Sequence, residues 1–264
     1  MIKPFTYFAT IFILFCIISC QNKNTQKTSW SKSTLLFEDT GTNNWQEHWM
    51  LDGQRSKVVH SEEGMELIAG AEHGNDTCHT VLWTKKSFEG NILIEYDYTK
   101  TDTTTRCVNI LYFHATGIGN DAYPTNIALW NEKRVVPHMN TYFNKMHTYH
   151  ISYAAFPPYE YSGNNDYIRL RRYNPEKKGL AGTDVPGDHF KTGFFKTNVS
   201  YHIKVFRHEN NIEMHIQNKK DPSDLLVCKW DASMYPLCHS GRIGLRHMYT
   251  RNARYKNFKV WKLD

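Results

Sequence analysis

The sequence predicts an all-β protein built as a sandwich of two antiparallel sheets. After Trp30 the chain is a succession of short runs in which apolar and polar residues alternate, with turn residues between them. Ile, Val, Tyr, Phe and Trp are frequent in these runs, as is typical of strands. No segment repeats its apolar residues at the 3.6-residue spacing of a long helix. Many short strands at this spacing are typical of a sandwich of the jelly-roll type.

The predicted strands follow one another through the body of the chain. They are Ser33–Glu38, Gly64–Ile68, His79–Thr84, Asn91–Tyr98, Arg106–Ala115, His147–Ala154, Tyr167–Tyr173, Ser200–Arg207, Asn211–Gln217, Leu225–Trp230, Arg242–His247 and Tyr255–Lys262. No linker rich in Gly, Ser or Pro divides them, so we expect one domain over residues 31–264. Two long connections, 116–145 and 177–191, are expected to fold over opposite rims of a sheet.

The N-terminus has the form of a bacterial lipoprotein signal peptide over residues 1–19. Lys3 precedes an apolar run that is too short to span a membrane, and Ser19 stands directly before Cys20. This ending resembles a lipobox, so Cys20 is expected to carry the lipid after cleavage. An ordinary signal peptide or a buried N-terminal strand are the alternatives.

Residues 20–30 are polar and are expected to form a flexible tether from the lipid anchor. No acidic cluster follows Cys20, which favours a periplasm-facing anchor in the outer membrane over display at the cell surface. Loss of residues 1–19 removes Lys3 and no acid, so the net charge falls from +6 to +5. This modest excess suits an anionic partner.

Several classes of function are excluded by the sequence. Basic residues are scattered among acids, which argues against nucleic acid. There is no Gly-rich phosphate loop, no Gly-x-Ser-x-Gly elbow and no His or carboxylate cluster with metal-ligand spacing. No cofactor is predicted, and a structural calcium ion, the oligomeric state and the pairing of four body cysteines stay open: Cys78, Cys107, Cys228 and Cys238.

Two predicted strands within residues 146–175 each carry polar side chains on one face. Tyr149, Ile151 and Tyr153 share the face of the first strand that is predicted to pack inward. The other face, with the matching face of the second strand, carries Thr148, His150, Ser152, Tyr167, Arg169, Arg171 and Tyr173. Arginine binds carboxylate or sulfate through paired hydrogen bonds, and histidine exchanges a proton near neutrality. We expect an exposed anion-binding surface; surface ion pairs with Glu95 or Asp97 are the structural alternative.

Glu95 and Asp97 themselves form a carboxylate pair on one strand face, which can supply the acid and nucleophile of glycoside hydrolysis. Laminarinase-like hydrolases carry Glu-x-Asp-x-x-Glu on such a strand. Lys100 stands at the third acidic position here, so the motif is incomplete. A solvated or ion-paired strand face is the alternative.

Two further segments contribute candidate residues. In 106–115 we assign Ile110 and Tyr112 to the core, which leaves Asn109 on the ligand-binding surface. Near the C-terminus, alternation with the apolar residues of the strand directs Arg246 away from the core. We expect a connection rich in His, Tyr and Arg to follow this strand, and such connections are typical of functional sites. Its candidate residues are His247, Tyr249, Arg251 and Arg254.

Five segments resemble the YesU-like proteins, in order and over nearly the whole body: HTVLWTKK (79–86), NILY (109–112), TYHISYA (148–154), YIRLRRY (167–173) and GRIGLRHMYTR (241–251). The resemblance implies a jelly-roll fold similar to that of concanavalin A-like lectins and glucanases, with a concave sheet as the glycan groove. It also implies a setting among genes that degrade rhamnose- and uronate-containing polysaccharides.

The leading hypothesis is a carbon–oxygen lyase or dehydratase that performs an elimination on a uronic-acid-containing oligosaccharide of the ulvan or rhamnogalacturonan type. Proton transfer is assigned to His150, His247 and Tyr249. Binding of the carboxylate and the sugar is assigned to Asn109, Arg169, Arg171, Tyr173, Arg246 and Arg251. The alternatives are a hydrolase that uses Glu95 and Asp97, and a non-catalytic glycan-binding lipoprotein that stacks sugars on Trp83, Trp130 and Tyr173.

Overall fold

A computed structural model describes residues 30–157 and 165–264. The predicted signal peptide, Cys20 and nearly all of the predicted tether lie outside the described residues, so these assignments stay predictions. Within residues 30–157 and 165–264, none of the helices has the length and hydropathy that a membrane span requires.

The described residues form strands β1 to β15 and one α-helix, α1, at Met139–Lys145. The strands are β1 Lys32–Asp39, β2 Trp49–Asp52, β3 Lys57–Ser61, β4 Gly64–Ile68, β5 Thr80–Glu89, β6 Ile92–Lys100, β7 Cys107–Gly117, β8 Met146–Phe156, β9 Tyr167–Tyr173, β10 His189–Phe190, β11 Ser200–His208, β12 Asn211–Asn218, β13 Leu225–Asp231, β14 Ser240–His247 and β15 Asn252–Leu263. Short 3-10 helices lie at Trp45–Glu47, Asp76–Cys78 and Ile127–Arg134.

The strands form two antiparallel sheets, as predicted. The first sheet has eight strands in the order β13-β12-β11-β6-β15-β4-β3, with β1 also paired to β15. The second sheet has seven, in the order β10-β9-β8-β7-β14-β5-β2. Each predicted strand segment is a strand in the structure, although several are longer than predicted; β2, β3 and β10 were not predicted. These three are short, so alternation has little length in which to show.

The main core lies between the inner faces of the two sheets. Ile94 and Tyr96 of β6 face it from the first sheet, and Leu111, Ile151 and Leu245 face it from the second. All five side chains are fully buried. This confirms the orientation predicted for β8 and β14, because side chains of one parity point to one face of a strand.

A second apolar layer covers the outer face of the second sheet. Trp83 and Tyr112 on that face pack against Trp130 and Tyr142 of residues 118–145, which we call the covering segment. The rings of Trp83 and Tyr112 stack with centroids 5.5 Å apart, and those of Tyr112 and Tyr142 with centroids 5.9 Å apart. Gly244 of β14 permits this stack, since a Cβ there would lie 2.5 Å from the Trp83 ring.

Asp52 holds the covering segment against the sheet. Its carboxylate is fully buried and accepts hydrogen bonds from Arg134 Nε at 2.6 Å and Tyr142 Oη at 2.8 Å. Asn131 and, from the sheet, the Trp83 indole N–H donate to the same carboxylate. The expectation of an exposed polar face on this sheet is therefore wrong, because the covering segment lies over it.

All four body cysteines are buried free thiols: Cys78, Cys107, Cys228 and Cys238.

Candidate functional site

A hydrogen-bonded group of polar side chains lies under the covering segment on the outer face of the second sheet. His150 Nδ1 lies 2.5 Å from Tyr173 Oη, and His150 Nε2 lies 2.7 Å from Ser152 Oγ. Strand register creates the group: Tyr112 of β7 and Arg171 of β9 stand directly opposite His150 of β8. Same-face neighbours across adjacent strands lie within side-chain reach.

Burial and nearby charge keep His150 neutral. Its side chain is only 3 % exposed. Burial, followed by the positive charges of Arg171, Arg246 and Arg169, lowers the pKa of His150 well below its usual value. The neutral ring accepts a hydrogen bond at one nitrogen and donates at the other.

The two phenols of the group keep their protons. Burial, with the neighbouring Tyr112 hydroxyl, raises the pKa of Tyr173 well above its usual value. Burial also raises the pKa of Tyr112, although the positive charge of Arg246 partly opposes it. The rings of Tyr112 and Tyr173 contact each other with centroids 5.9 Å apart, so the group extends from Ser152 on β8 across to β7. Such a network can pass a proton between neighbouring groups.

Arg246 of β14 is the buried cation of the site, and its outward direction is as predicted. It is fully buried and donates through Nη2 to the Pro137 carbonyl at 2.7 Å and to His79 Nδ1 at 3.0 Å. Its guanidinium lies over the Tyr142 ring, 4.5 Å from the centroid. Among the described residues, Nε and Nη1 have no hydrogen-bond partner and no carboxylate pairs with the charge.

Arg169 and Arg171 share the face of His150, as predicted, but they are paired with carboxylates of a loop. Arg171 lies 3.0 Å from Asp184, and Arg169 donates to Asp188 from Nε at 2.7 Å. The two arginines thus form ion pairs, which was the predicted structural alternative, but their partners are Asp184 and Asp188 rather than Glu95 and Asp97. The loop that carries these carboxylates follows β9 in sequence and folds back along the outer edge of that strand.

Asn109, His247 and Arg251 lie apart from this face, which corrects three predictions. The Asn109 amide is fully buried between the sheets and donates to Tyr98 Oη at 2.7 Å. Both faces of β7 are covered, so its apolar pattern could not show which side faces the core. Ile110 and Tyr112, assigned to the core, lie on the outer face instead.

His247 belongs to β14 rather than to the following connection, and its side chain points between the sheets. His247 Nε2 lies 2.8 Å from Tyr255 Oη. Burial lowers the pKa of His247 to about 3. Arg251 is fully buried in an ion pair with Asp102, 3.1 Å away, and donates to the Ala154 carbonyl at 2.7 Å. His247 and Arg251 thus connect neighbouring segments at this end of the sandwich.

Tyr249 lies at the edge of the site, beside His79. It stacks on His79 with centroids 4.8 Å apart, and His79 in turn contacts Arg246. Burial, with the charge of Arg246, lowers the pKa of His79 to about 3. Sequence reasoning missed His79 and Tyr112 as members of the site, since only the pairing of β5, β14 and β7 brings them to it.

The carboxylates Glu95 and Asp97 lie on the outer face of the first sheet, away from His150. Burial raises the pKa of Asp97, but hydrogen bonds from His202, Lys219 and Asn257 outweigh it and lower the pKa to about 2. Burial likewise raises the pKa of Glu95, but hydrogen bonds from Lys32 and Trp261 outweigh it, so the pKa is lowered. Neither carboxyl is held protonated, as a hydrolytic general acid requires.

The aromatic residues proposed for sugar stacking are covered. Trp83 and Tyr173 are fully buried and Trp130 is almost so, because all three pack beneath or within the covering segment. In the part of the chain that the structure describes, no group of three or more His, Cys, Asp or Glu side chains is placed to hold a metal ion.

The fold is that of galectin-like lectins. A Bacillus subtilis protein of unknown function with a galectin-like fold superposes with a TM-score of 0.68 at 17% identity, over 89% of this chain and 98% of its own. The lumenal domain of VIP36, with Ca²⁺ and Man3GlcNAc bound, gives 0.57 at 10% identity over 88% of this chain and 91% of its own. Lectin II from Ulex europaeus gives 0.53 at 5% identity over 88% of this chain and 100% of its own.

The chain belongs to the family of DUF1961, a domain of unknown function, which matches residues 35–260. It is 23% identical over 221 residues to the uncharacterized protein YesU of Bacillus subtilis (strain 168), covering 80% of this chain and 88% of that protein. The resemblance to the YesU-like proteins is confirmed.

Proposed function

We propose that the protein binds a uronic-acid-containing oligosaccharide on the outer face of the second sheet and catalyses an elimination there. The reaction either cleaves a glycosidic bond or releases water. One observation carries the proposal: the 2.5 Å contact between His150 and Tyr173 lies beside a buried arginine whose charge has no carboxylate partner among the described residues. A glycan as ligand agrees with the VIP36 domain of similar fold, which holds Man3GlcNAc.

The arginines supply the site for the uronate carboxylate. Nε and Nη1 of the Arg246 guanidinium are buried without partners in the described structure, which is unfavourable until an acceptor arrives. A carboxylate there accepts two charge-assisted hydrogen bonds and neutralises the guanidinium. Arg171 lies on the same face and can bind the substrate once it releases Asp184.

The elimination needs one base and one acid. The base removes the proton from the carbon next to the carboxylate. The electrons of that C–H bond form a carbon–carbon double bond as the bond to the leaving oxygen breaks. His150, neutral and with a basic ring nitrogen, takes the proton, and the Tyr173 phenol delivers its own to the leaving oxygen. The arginines stabilise the negative charge that spreads onto the carboxylate.

Substrate binding also strengthens the base. Burial is the main cause that lowers the pKa of His150, and three positive arginines lower it further. A bound carboxylate offsets the charge of the arginines, so the pKa of His150 rises when a uronate is present. Since His150 is 3 % exposed, the ligand enters from the edge at Arg169 and Arg171, whose side chains are 27% and 15% exposed.

The test is to incubate the protein with a panel of uronate oligosaccharides and to measure product masses and the absorbance of the unsaturated product. Loss of water or chain cleavage supports the proposal. His150→Ala and Tyr173→Phe should each lower turnover by about a hundred- to ten-thousand-fold. His202→Ala, on the outer face of the first sheet, is the matched control and should keep turnover. Unchanged turnover in both site variants, or saturable binding with no product, rejects the elimination.

A further inference from the structure

A groove runs along one end of the second sheet, and none of the residues that line it belongs to the hydrogen-bonded group of His150. Three clefts of about 520, 200 and 490 Å³ lie side by side there. The first and second share Thr116, Thr125 and Ser240, and the second and third share Ser87 and Ser240. The shared walls make the clefts one continuous groove across the strand ends.

Arg242 is a buried cation of the second cleft. It is 9% exposed and donates to the Thr84 carbonyl at 2.7 Å and to Asn126 Oδ1 at 3.2 Å. Its Nε has no hydrogen-bond partner, and no carboxylate pairs with it, among the described residues. A guanidinium surrounded only by neutral acceptors keeps its full charge in a place where water screens it poorly.

Arg172 is the matching cation of the first cleft. It is 2% exposed and donates to the carbonyl oxygens of Pro236, at 3.0 Å, and of Tyr173. Within residues 30–157 and 165–264 it too forms no ion pair. Two buried positive charges thus line one groove, and both lack the anion that would normally accompany them.

The rest of the groove is suited to a sugar chain. Hydroxyl and amide side chains lie between and beside the two arginines, and they match the donors and acceptors of sugar hydroxyls: Thr116, Thr125, Asn126, Asn174 and Ser240. Lys86 and Lys262 line the third cleft. The acids on the walls are Glu176 in the first cleft and Glu89 in the third, and both are exposed.

We infer that this groove is a second binding site, which holds an extended anionic oligosaccharide with its carboxylate or sulfate groups on Arg172 and Arg242. The groove binds the same class of ligand as the substrate of the proposed reaction, but binding there does not depend on catalysis. A chain bound there would be retained on the protein independently of turnover at His150.

Calorimetric titration with tetragalacturonate tests the groove, with maltotetraose as the neutral probe of equal length. We expect tetragalacturonate to bind and maltotetraose to bind at least tenfold more weakly. Because the site at His150 is proposed to bind the same ligand class, the titration is fitted to two sites per chain. Ser240→Trp fills the groove at an exposed position and should weaken the binding event of the groove at least tenfold, as should Arg242→Gln. Lys204→Gln, on the first sheet, removes the same charge elsewhere and should bind like the wild type.

Circular dichroism of Ser240→Trp shows whether the fold is kept, and Thr125→Trp replaces this variant if it is not. Two binding events of wild-type affinity in a folded groove-filling variant overturn the inference, even if the protein turns over uronates. Conversely, groove-dependent binding with no product from any oligosaccharide of the uronate panel overturns the proposed elimination and leaves the inference about the groove unaffected.

Discussion

Burial decides the protonation state of several histidines in this protein. His79, His114 and His247 are at most 1% exposed. In each, burial is the main cause that lowers the pKa to about 3, and a neighbouring arginine contributes. His150 follows the same rule, with three arginines near it. At neutral pH all four rings are uncharged, which is the state a proton acceptor needs.

Stability should therefore fall in acid. In the unfolded chain these histidines take up protons below about pH 6.5, whereas in the folded chain His79, His114 and His247 do so only near pH 3. Between those values the unfolded state binds more protons. The free energy of unfolding should thus decrease by about 1.4 kcal/mol per pH unit for each histidine as the pH falls. Urea denaturation at several pH values between 7 and 4 measures the slope.

His247→Gln tests one histidine of the three. Glutamine can keep a hydrogen bond to Tyr255 but does not titrate. The variant should show a shallower dependence on pH than the wild type, and equal slopes would contradict the assignment.

At the scale of elements, the covering segment converts an outer sheet face into a second apolar layer. Its 3-10 helix, Ile127–Arg134, and α1, Met139–Lys145, are too short to be stable alone and depend on packing against the sheet. Asp52 at the end of β2 supplies the polar anchor, since it pairs with Arg134 and accepts from Tyr142. The segment in turn covers the face that carries His150, and burial is the main cause that lowers the pKa of His150.

Asp52→Asn should loosen the covering segment. The substitution leaves the buried Arg134 guanidinium without its counter-charge, and breaking such a pair costs about 3–5 kcal/mol. We expect that loss in chemical denaturation, together with faster proteolysis within residues 118–145. Glu72→Gln removes a carboxylate from the exposed pair with Arg55 and should leave both measurements unchanged. Equal behaviour of the two variants would show that Asp52 is not the anchor.

At the scale of the whole molecule, one core connects the two sheets. Tyr98 of β6 and Tyr153 of β8 meet across it with ring centroids 5.2 Å apart, and Asn109 of β7 donates to Tyr98. The chain passes repeatedly between the sheets, so neither sheet is built from a continuous half of the sequence. We therefore propose that the body is a single domain.

A single domain should unfold in one cooperative step. Far-ultraviolet circular dichroism, which reports strands of both sheets, and tryptophan fluorescence should give the same midpoint in urea. Two separated transitions would indicate that the sheets or the covering segment unfold independently.

Much of the fold and part of the site follow from the sequence through local geometry. Successive side chains of a strand point to opposite faces, so an apolar Tyr149 and Ile151 place His150 on the other face without any knowledge of the partner strands. The same argument directs Arg169, Arg171 and Tyr173 to one side of β9 and Arg246 outward from β14.

Alternation along each strand therefore predicts which residues share a face. It does not predict which faces are covered, that Asn109 and His247 lie between the sheets, or that Asp184 and Asp188 pair with the arginines. The two kinds of feature differ in the distance along the chain over which they arise. Alternation is a property of the covalent chain over two residues, whereas coverage and ion pairing depend on segments that are distant in sequence and meet only when the sheets pack together.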